Sequence, residues 1–371
     1  MHKPVDGQSF ELGPALSQMT SASPRKGAKA APAMCDVLND CQRSFAAHRK
    51  CIVLLQQQKQ RCDAEGRLEA FYDEFLGHVK QLLVVFNRSP AVERVAQFFV
   101  DFAVYDGQDF QFDEAFFNWL LSALLGMSRA KDKAVRFRVC QLVSGLMAGL
   151  VEDAEIGDDM WDDLQKRMLD RVTDKVVATR VHAVAALKRL QDPTDRDNPV
   201  VKTILMAMET DSAKEVRKTA IKAIGLSRFT IQALVARTRD VSEDVRKEAF
   251  RVLTLLDLKA MSIFQRVTLA SNGVNDRDEG VHTAFMDMVM TNWLKRTAGL
   301  NNKPGSLAVK PAALLRFFDV ENYESEGATL ARAILKETEH GVVMPNLDTL
   351  DAEGALLWRV HCQLLPQHGD P

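Results

Sequence analysis

The chain has 371 residues, of which 46% are hydrophobic and 26% charged, with a formal net charge of −2. That length exceeds what one compact core sustains, so the chain is either several domains or a quasi-one-dimensional array, and its apolar content excludes wholesale disorder. The near-zero charge excludes bulk attraction to nucleic acid and leaves only local patches, and no apolar run approaches the ~20 residues of a membrane-spanning helix.

Residues 1–33 are rich in Pro, Gly, Ser, Ala and Lys without apolar periodicity. They cannot bury enough surface to offset the entropy of ordering, which predicts a disordered basic tail. Within it Ser23-Pro24-Arg25-Lys26 has the form of a proline-directed, base-requiring kinase site, to be weighed against a plain solvated linker. The amino terminus has no apolar signal core, so Cys35, Cys41, Cys51, Cys62, Cys140 and Cys362 are expected to be reduced. No Cys-x-x-Cys pair occurs, and four of the six fall in what reads as one helical stretch; buried thiols are expected, with no metal and no cofactor.

From Cys35 onward apolar residues recur at three- and four-residue spacing, without the sustained alternation of a strand. Breaks are expected at Asn87-Arg88-Ser89-Pro90, Asp106-Gly107, Gly157-Asp158, Asp192-Pro193, Asn198-Pro199, Gly273 and the 299–311 loop. The helices between them are too short to hide their apolar faces alone and must stack on neighbours. The prediction is an all-α body over 34–340, with 341–371 left as a carboxy-terminal segment without an assigned structure.

An internal repeat supports this. Asp174, Asp211 and Asp240 are each followed six places on by Arg180, Arg217 and Arg246, and three further by Ala183, Ala220 and Ala249. A fourth copy from Asp276 has His282 in place of Arg, and an earlier one keeps Val135-Arg136 with Asp132 displaced. The positions 136, 180, 217, 246 and 282 lie 44, 37, 29 and 36 residues apart, a HEAT-type register of paired antiparallel helices. Asp should accept hydrogen bonds from amides at the start of the second helix, and Arg should bridge that Asp to a neighbouring turn. Arg136, Arg180, Arg217, Arg246, Asp174, Asp211 and Asp240 are therefore read as structural repeat positions.

Several blocks go beyond a generic repeat. Ser89-Pro90-Ala91-Val92-Glu93-Arg94-Val95, Ala134 through Cys140, Ala186 through Pro193, Arg237-Thr238-Arg239-Asp240-Val241, Ala260-Met261-Ser262-Ile263, Arg266 through Arg277, and Asp319-Val320-Glu321-Asn322 resemble the G subunit of condensin, in the same order. The resemblance runs from about residue 35 to 335, the amino-terminal part of that family; 338–371 finds no counterpart, family members are longer, and the 299–311 loop reads as an insertion. It implies a HEAT-repeat α-solenoid curved into an arch. It also implies binding to the condensin kleisin and, through it, to the SMC ATPase subunits, a positively charged groove for double-stranded DNA, and a nuclear role on condensed mitotic chromosomes.

Neutralising duplex phosphates requires cations at regular intervals. Lys218 and Lys247 follow the repeat Arg by one place, Lys222 and Arg251 by five, so each helix presents two cations at i, i+4. Between Lys214 and Lys259 stand 11 Lys and Arg against 6 Asp and Glu. Arg129, Lys131, Lys133 and Arg138, beside Arg136, form a second candidate at a helix start; Arg43, Arg49, Lys50, Lys59 and Arg61 form a third. Each cluster is set against a plain solvated face. No sequence-reading element is recognisable, so contact through phosphates would be nonspecific.

The acidic run Glu152 to Asp163 lacks the order of a calcium loop and reads as a helix start. Trp119, Trp161 and Trp293 sit at helical spacing as core, and His48, His182 and His282 read as structural. No phosphate loop, zinc-protease motif or nucleophile elbow occurs, so neither catalysis nor a small-molecule substrate is expected. A different class remains beside the DNA-holding scaffold: a protein-protein HEAT adaptor of transport or phosphatase type, without DNA binding.

Overall fold

A computed structural model describes residues 32–152, 154–297, 310–338 and 342–365. Most of the tail with Ser23, and most of the 299–311 loop, lie outside the described residues. Among the described residues every regular element is helical and no strand occurs. They group into two compact units that divide between Leu190 and Gln191.

The first unit holds α1 (Met34–Cys41), α2 (His48–Ala64), α3 (Leu68–Leu83), α4 (Pro90–Ala103), α5 (Glu114–Met127), α6 (Lys133–Gly149), α7 (Asp158–Val172) and α8 (Val177–Ala186). Local chemistry sets the boundaries. The α2 helix ends because Gly66 adopts φ +67, which lets the Arg67 amide reach the Cys62 carbonyl at 2.7 Å and the Gly66 amide reach Asp63 at 2.9 Å. Pro90 opens α4, Asp113 caps α5 through the Phe116 amide at 2.9 Å, and Asp158 and Asp159 occupy the first turn of α7. The break between α1 and α2 separates Cys35 and Cys41 from Cys51 and Cys62, so the single cysteine-bearing stretch expected from periodicity is two helices. All six thiols are free, and burial pushes the Cys140 thiol up to about 12.

The core of this unit is aromatic. Phe75 lies 5.1 Å from Phe99, 5.4 Å from Phe102 and 5.1 Å from Phe116, centroid to centroid, all four rings being fully buried. These edge-to-face and tilted contacts tie α3, α4 and α5 together, each ring contributing roughly 1.5–3 kcal/mol through burial. On α8, His182 Nδ1 meets Ser144 Oγ of α6 at 3.1 Å, and burial pushes its pKa down to about 4.

The second unit holds α9 (Pro199–Thr210), α10 (Lys214–Ala223), α11 (Ile231–Arg237), α12 (Glu243–Leu253), α13 (Ile263–Val274), α14 (Glu279–Met288), α15 (Leu294–Thr297), α16 (Pro311–Leu315), α17 (Glu324–Glu337) and α18 (Ala352–Leu364). Asn198 caps α9, and Ser262 with Gln265 forms a reciprocal capping box on α13. Gly273, expected as a break, lies inside the last turn of α13: a Cβ there would stand 2.1 Å from Cγ of Phe285 on α14, so glycine permits the close approach of the pair. At the carboxy-terminal end α18 packs on α16 and α17, and Trp358 Nε1 donates to the Pro345 carbonyl at 2.9 Å.

In both units first helices pack on first helices and second helices on second helices. The α5 helix meets α7 and α6 meets α8; α9 meets α11, α11 meets α13, α10 meets α12 and α12 meets α14. This two-layer stacking of hairpins defines an α-solenoid of HEAT type.

Gly273→Ala should destabilise the second unit by about 1–3 kcal/mol or more, because Phe285 is fully buried and cannot yield, as denaturant unfolding would measure. His182 is held neutral in the fold while the unfolded chain protonates near pH 6.5, so its contribution is intact above that value and is lost as pH falls toward about 4. His182→Asn should flatten this part of the stability-versus-pH curve.

Candidate nucleic-acid interface

The repeat Arg and Asp residues form a ladder that runs within each unit. Arg217 directs Nε and Nη2 to the Asp240 carboxylate at 2.9 and 2.7 Å, while its Nη1 donates to the Asp211 carbonyl at 2.8 Å. Arg246 reaches the Asp276 carboxylate at 2.7 and 2.9 Å and the Asp240 carbonyl at 3.0 Å. In the first unit Arg136 reaches Asp174 at 2.7 and 3.4 Å and the Lys131 carbonyl at 2.8 Å, and Arg180 donates to the Asp174 carbonyl at 2.9 Å. Each of the Asp carboxylates also accepts the amide two residues on: Val176, Ala213, Ser242 and Asp278, at 2.8–2.9 Å.

The bridging thus has a definite polarity. Arg holds the main chain of its own turn and, through Asp174, Asp240 and Asp276, the carboxylate of the following repeat. Burial alone would raise the pKa of these three acids, but the guanidinium and amide hydrogen bonds outweigh it and hold them below the usual carboxylate value. Additional cations support the acids, Arg171 on Asp174 at 3.0 Å and Arg237 on Asp240 at 3.5 Å. At the fourth copy His282 takes the Arg place on α14.

Above this ladder the structure gathers the four predicted cations of α10 and α12 around two carboxylates. Asp244 accepts from Lys214 at 2.9 Å, and the nearby charges of Lys218 and Lys247 further depress its pKa. Glu248, with only 9% of its side chain exposed, lies 3.7 Å from Lys222 and 3.7 Å from Arg251, whose side chains are 55% and 56% exposed. Lys214, Lys218, Lys222, Lys247 and Arg251 thus stand around Asp244 and Glu248, and the exposed Glu215 and Glu243 also act on Lys214 through their charges. The sequence pattern selected Lys218, Lys222, Lys247 and Arg251 but missed Lys214 and the interleaved acids. Asp244 and Glu248 stand at the same i, i+4 spacing and would have shown the partial neutralisation.

The second cluster divides. Lys131 and Lys133 are exposed, with Lys133 Nζ 5.0 Å from the centre of the Phe86 ring, and Arg129 is paired with Asp170 at 2.5 Å. Arg138 does not belong with them: its side chain is 0% exposed, and its guanidinium holds the Val85 and Asn87 carbonyls at 2.8 and 2.6 Å and Glu93 at 2.9 Å. It pins the α3–α4 connection, a role signalled by its place inside the apolar run Ala134 to Cys140. In the third cluster Lys59 is buried and paired with Asp113 beneath the Phe116 ring. No group of acidic, His or Cys residues able to hold a metal occurs among the described residues, and none of their helices is long and apolar enough to cross a membrane.

Hairpins held in register by a repeating Arg–Asp tie define a HEAT-repeat protein. No family model matches the chain. It is 35% identical to human condensin complex subunit 3 over 347 residues, covering 89% of this chain and 33% of that protein. Against the Xenopus laevis condensin complex subunit 3 the identity is 32% over 348 residues, covering 89% and 32%. Among solved structures, the condensin Cnd3–Cnd2 subcomplex of S. pombe matches with a TM-score of 0.75 and 27% identity over 89% of this chain and 41% of that one. The chain is a homologue of condensin complex subunit 3 and spans about a third of the length of the curated relatives it matches.

Asp240→Asn should cost about 3–5 kcal/mol, since it leaves the Arg217 guanidinium buried without its counter-charge. Lys214→Met, at an exposed position, should leave the unfolding midpoint in place. The ladder acids are depressed, so their contribution is complete above the unfolded value of about 3.9 and is lost as pH falls below it; acid titration of wild type against Asp240→Asn checks the sign.

Proposed function

We propose that this chain works as part of a non-catalytic HEAT-repeat subunit of condensin. In this reading it binds the kleisin subunit and, through it, the SMC ATPase subunits, and holds double-stranded DNA without sequence preference. The setting would be mitotic chromosome condensation, in the nucleus and on condensed chromosomes. The observation that carries the reading is the 35% identity to condensin complex subunit 3 over 89% of the chain. The Cnd3–Cnd2 subcomplex supports the partner: the matching fold there is one component of a two-subunit assembly.

The α10–α12 face supports the DNA part. Lys218, Lys222, Lys247 and Arg251 stand on stacked helices, where their charges can meet successive phosphates, while Asp244 and Glu248 temper the surplus. Exposed Lys131 and Lys133, with Arg129, offer a further phosphate-contacting group in the first unit. Binding of this kind draws its free energy from counterion release, so affinity falls steeply with salt and base sequence matters little.

Replacing Lys218, Lys222, Lys247 and Arg251 together by Glu should lower duplex affinity more than tenfold and reduce the slope of log affinity against log salt by about 0.9 per lost phosphate contact. Electrophoretic mobility shift with and without a kleisin fragment, alongside co-purification of that fragment, tests both halves. Kleisin capture without any duplex shift would leave a protein-protein adaptor.

A further inference from the structure

The ladder leaves a cleft of about 450 Å³ in the second unit, between the α11–α12 turn and the end of α13 with the turn that follows it. Its lining includes Arg239, Val241, Ser271, Asn272, Asn275 and Arg277. The carboxylates that also line it, Asp240 and Asp276, are fully engaged by Arg217, Arg237 and Arg246 and by backbone amides. Arg239 and Arg277 are different: both are exposed, and the side chain of neither makes a hydrogen bond or ion pair among the described residues. The cleft therefore carries two guanidinium groups without a hydrogen bond or ion pair of their own, Arg277 acting on Asp276 only through its charge, above acids that other arginines already pair.

Its remaining chemistry is that of a peptide site. Asn272 uses Nδ2 on Thr238 Oγ1 at 2.8 Å and Asn275 uses Nδ2 on the Ser271 carbonyl at 3.0 Å, which leaves both Oδ1 atoms without a partner among the described residues. Such oxygens can accept the N–H groups of an extended main chain. Val241 stands beside them 84% exposed, an apolar contact with nothing upon it. A volume of this size lies within the range of pockets that enclose a small ligand or a few residues. A DNA duplex is a stiff rod that meets raised ridges and does not fold into such a cleft, and a single strand would need aromatic platforms, of which the lining has none.

We infer that this cleft binds an acidic, extended peptide segment of a protein partner, with Arg239 and Arg277 pairing its carboxylates, Asn272 and Asn275 accepting its backbone amides, and Val241 packing against one apolar side chain. The site is separate from the cationic rungs of α10 and α12 and does not depend on the DNA reading. Guanidinium groups suit the role because their planar fork pairs both oxygens of a carboxylate.

The test is fluorescence anisotropy with the full chain and a labelled peptide of sequence Gly-Glu-Glu-Leu-Glu-Glu-Gly, beside a counterpart with Gln for every Glu. The acidic peptide should bind and the Gln peptide should bind at least tenfold more weakly. Arg239→Gln combined with Arg277→Gln should reduce acidic-peptide affinity at least tenfold. So should Val241→Asp, whose carboxylate repels those of the peptide, whereas Arg228→Gln, an exposed site elsewhere in the unit, should have no effect. The substituted arginines donate no hydrogen bond to the fold and are exposed, so thermal unfolding should change little. Equal binding of the Gln peptide, retention of affinity by the double variant, or no binding at millimolar peptide would overturn the proposal. A double variant that loses duplex affinity as much as peptide affinity would reassign the cleft to nucleic acid.

Discussion

A guanidinium that holds the main chain of its own turn with one nitrogen and the next repeat's carboxylate with its other edge forces successive hairpins into one register. Arg217 and Arg246 do this in the second unit and Arg136 in the first. Lysine could not, because a single ammonium cannot face two directions with fixed planar geometry. The acids stay charged in a nearly dry setting because amide donors two residues on complete their coordination. A buried ion pair of this kind contributes little net stability against a hydrophobic substitute, yet breaking it is costly. Its use here is specificity: a hairpin slipped by one helical turn would strand both charges.

That register decides what the surface displays. Residues one and five places beyond each tie fall on the same side of consecutive second helices, which is how Lys218, Lys222, Lys247 and Arg251 come to surround Asp244 and Glu248. The interleaved acids fix the rungs in position and moderate their charge, as suits a surface proposed to meet phosphates without gripping one sequence. The same ties consume Asp240 and Asp276 in the adjoining turns, so the cleft beside Val241 retains only the cations Arg239 and Arg277. One repeated structural contact thus sorts the charges of this unit into committed and available.

The aromatic cluster of the first unit plays a different part. Phe75, Phe99, Phe102 and Phe116 close the space between α3, α4 and α5 by shape and burial, with no charge involved. Arg138 enters this unit as a buried clamp on the α3–α4 connection, its charge balanced by Glu93 and its other donors taken by two carbonyls. Position in a basic cluster therefore says little about availability when the residue also sits within an apolar run.

Periodicity alone determined that the body is helical, because a three-and-four spacing is a direct consequence of the helical repeat. The Asp-to-Arg interval of six located the repeats, because the tie demands both residues at fixed places in each turn. The motif blocks were specific enough to carry the kinship with condensin. The burial of Arg138 and the acids Asp244 and Glu248 left a local signal, an apolar run and an i, i+4 spacing, whereas tertiary structure alone decided the division at Leu190, the true partner of each Arg and the burial of Lys59. Those features depend on which side chains meet across helices from 23 residues apart at Arg217–Asp240 to 54 at Lys59–Asp113, and charge and spacing along one chain do not encode the distance between such groups; only packing sets it.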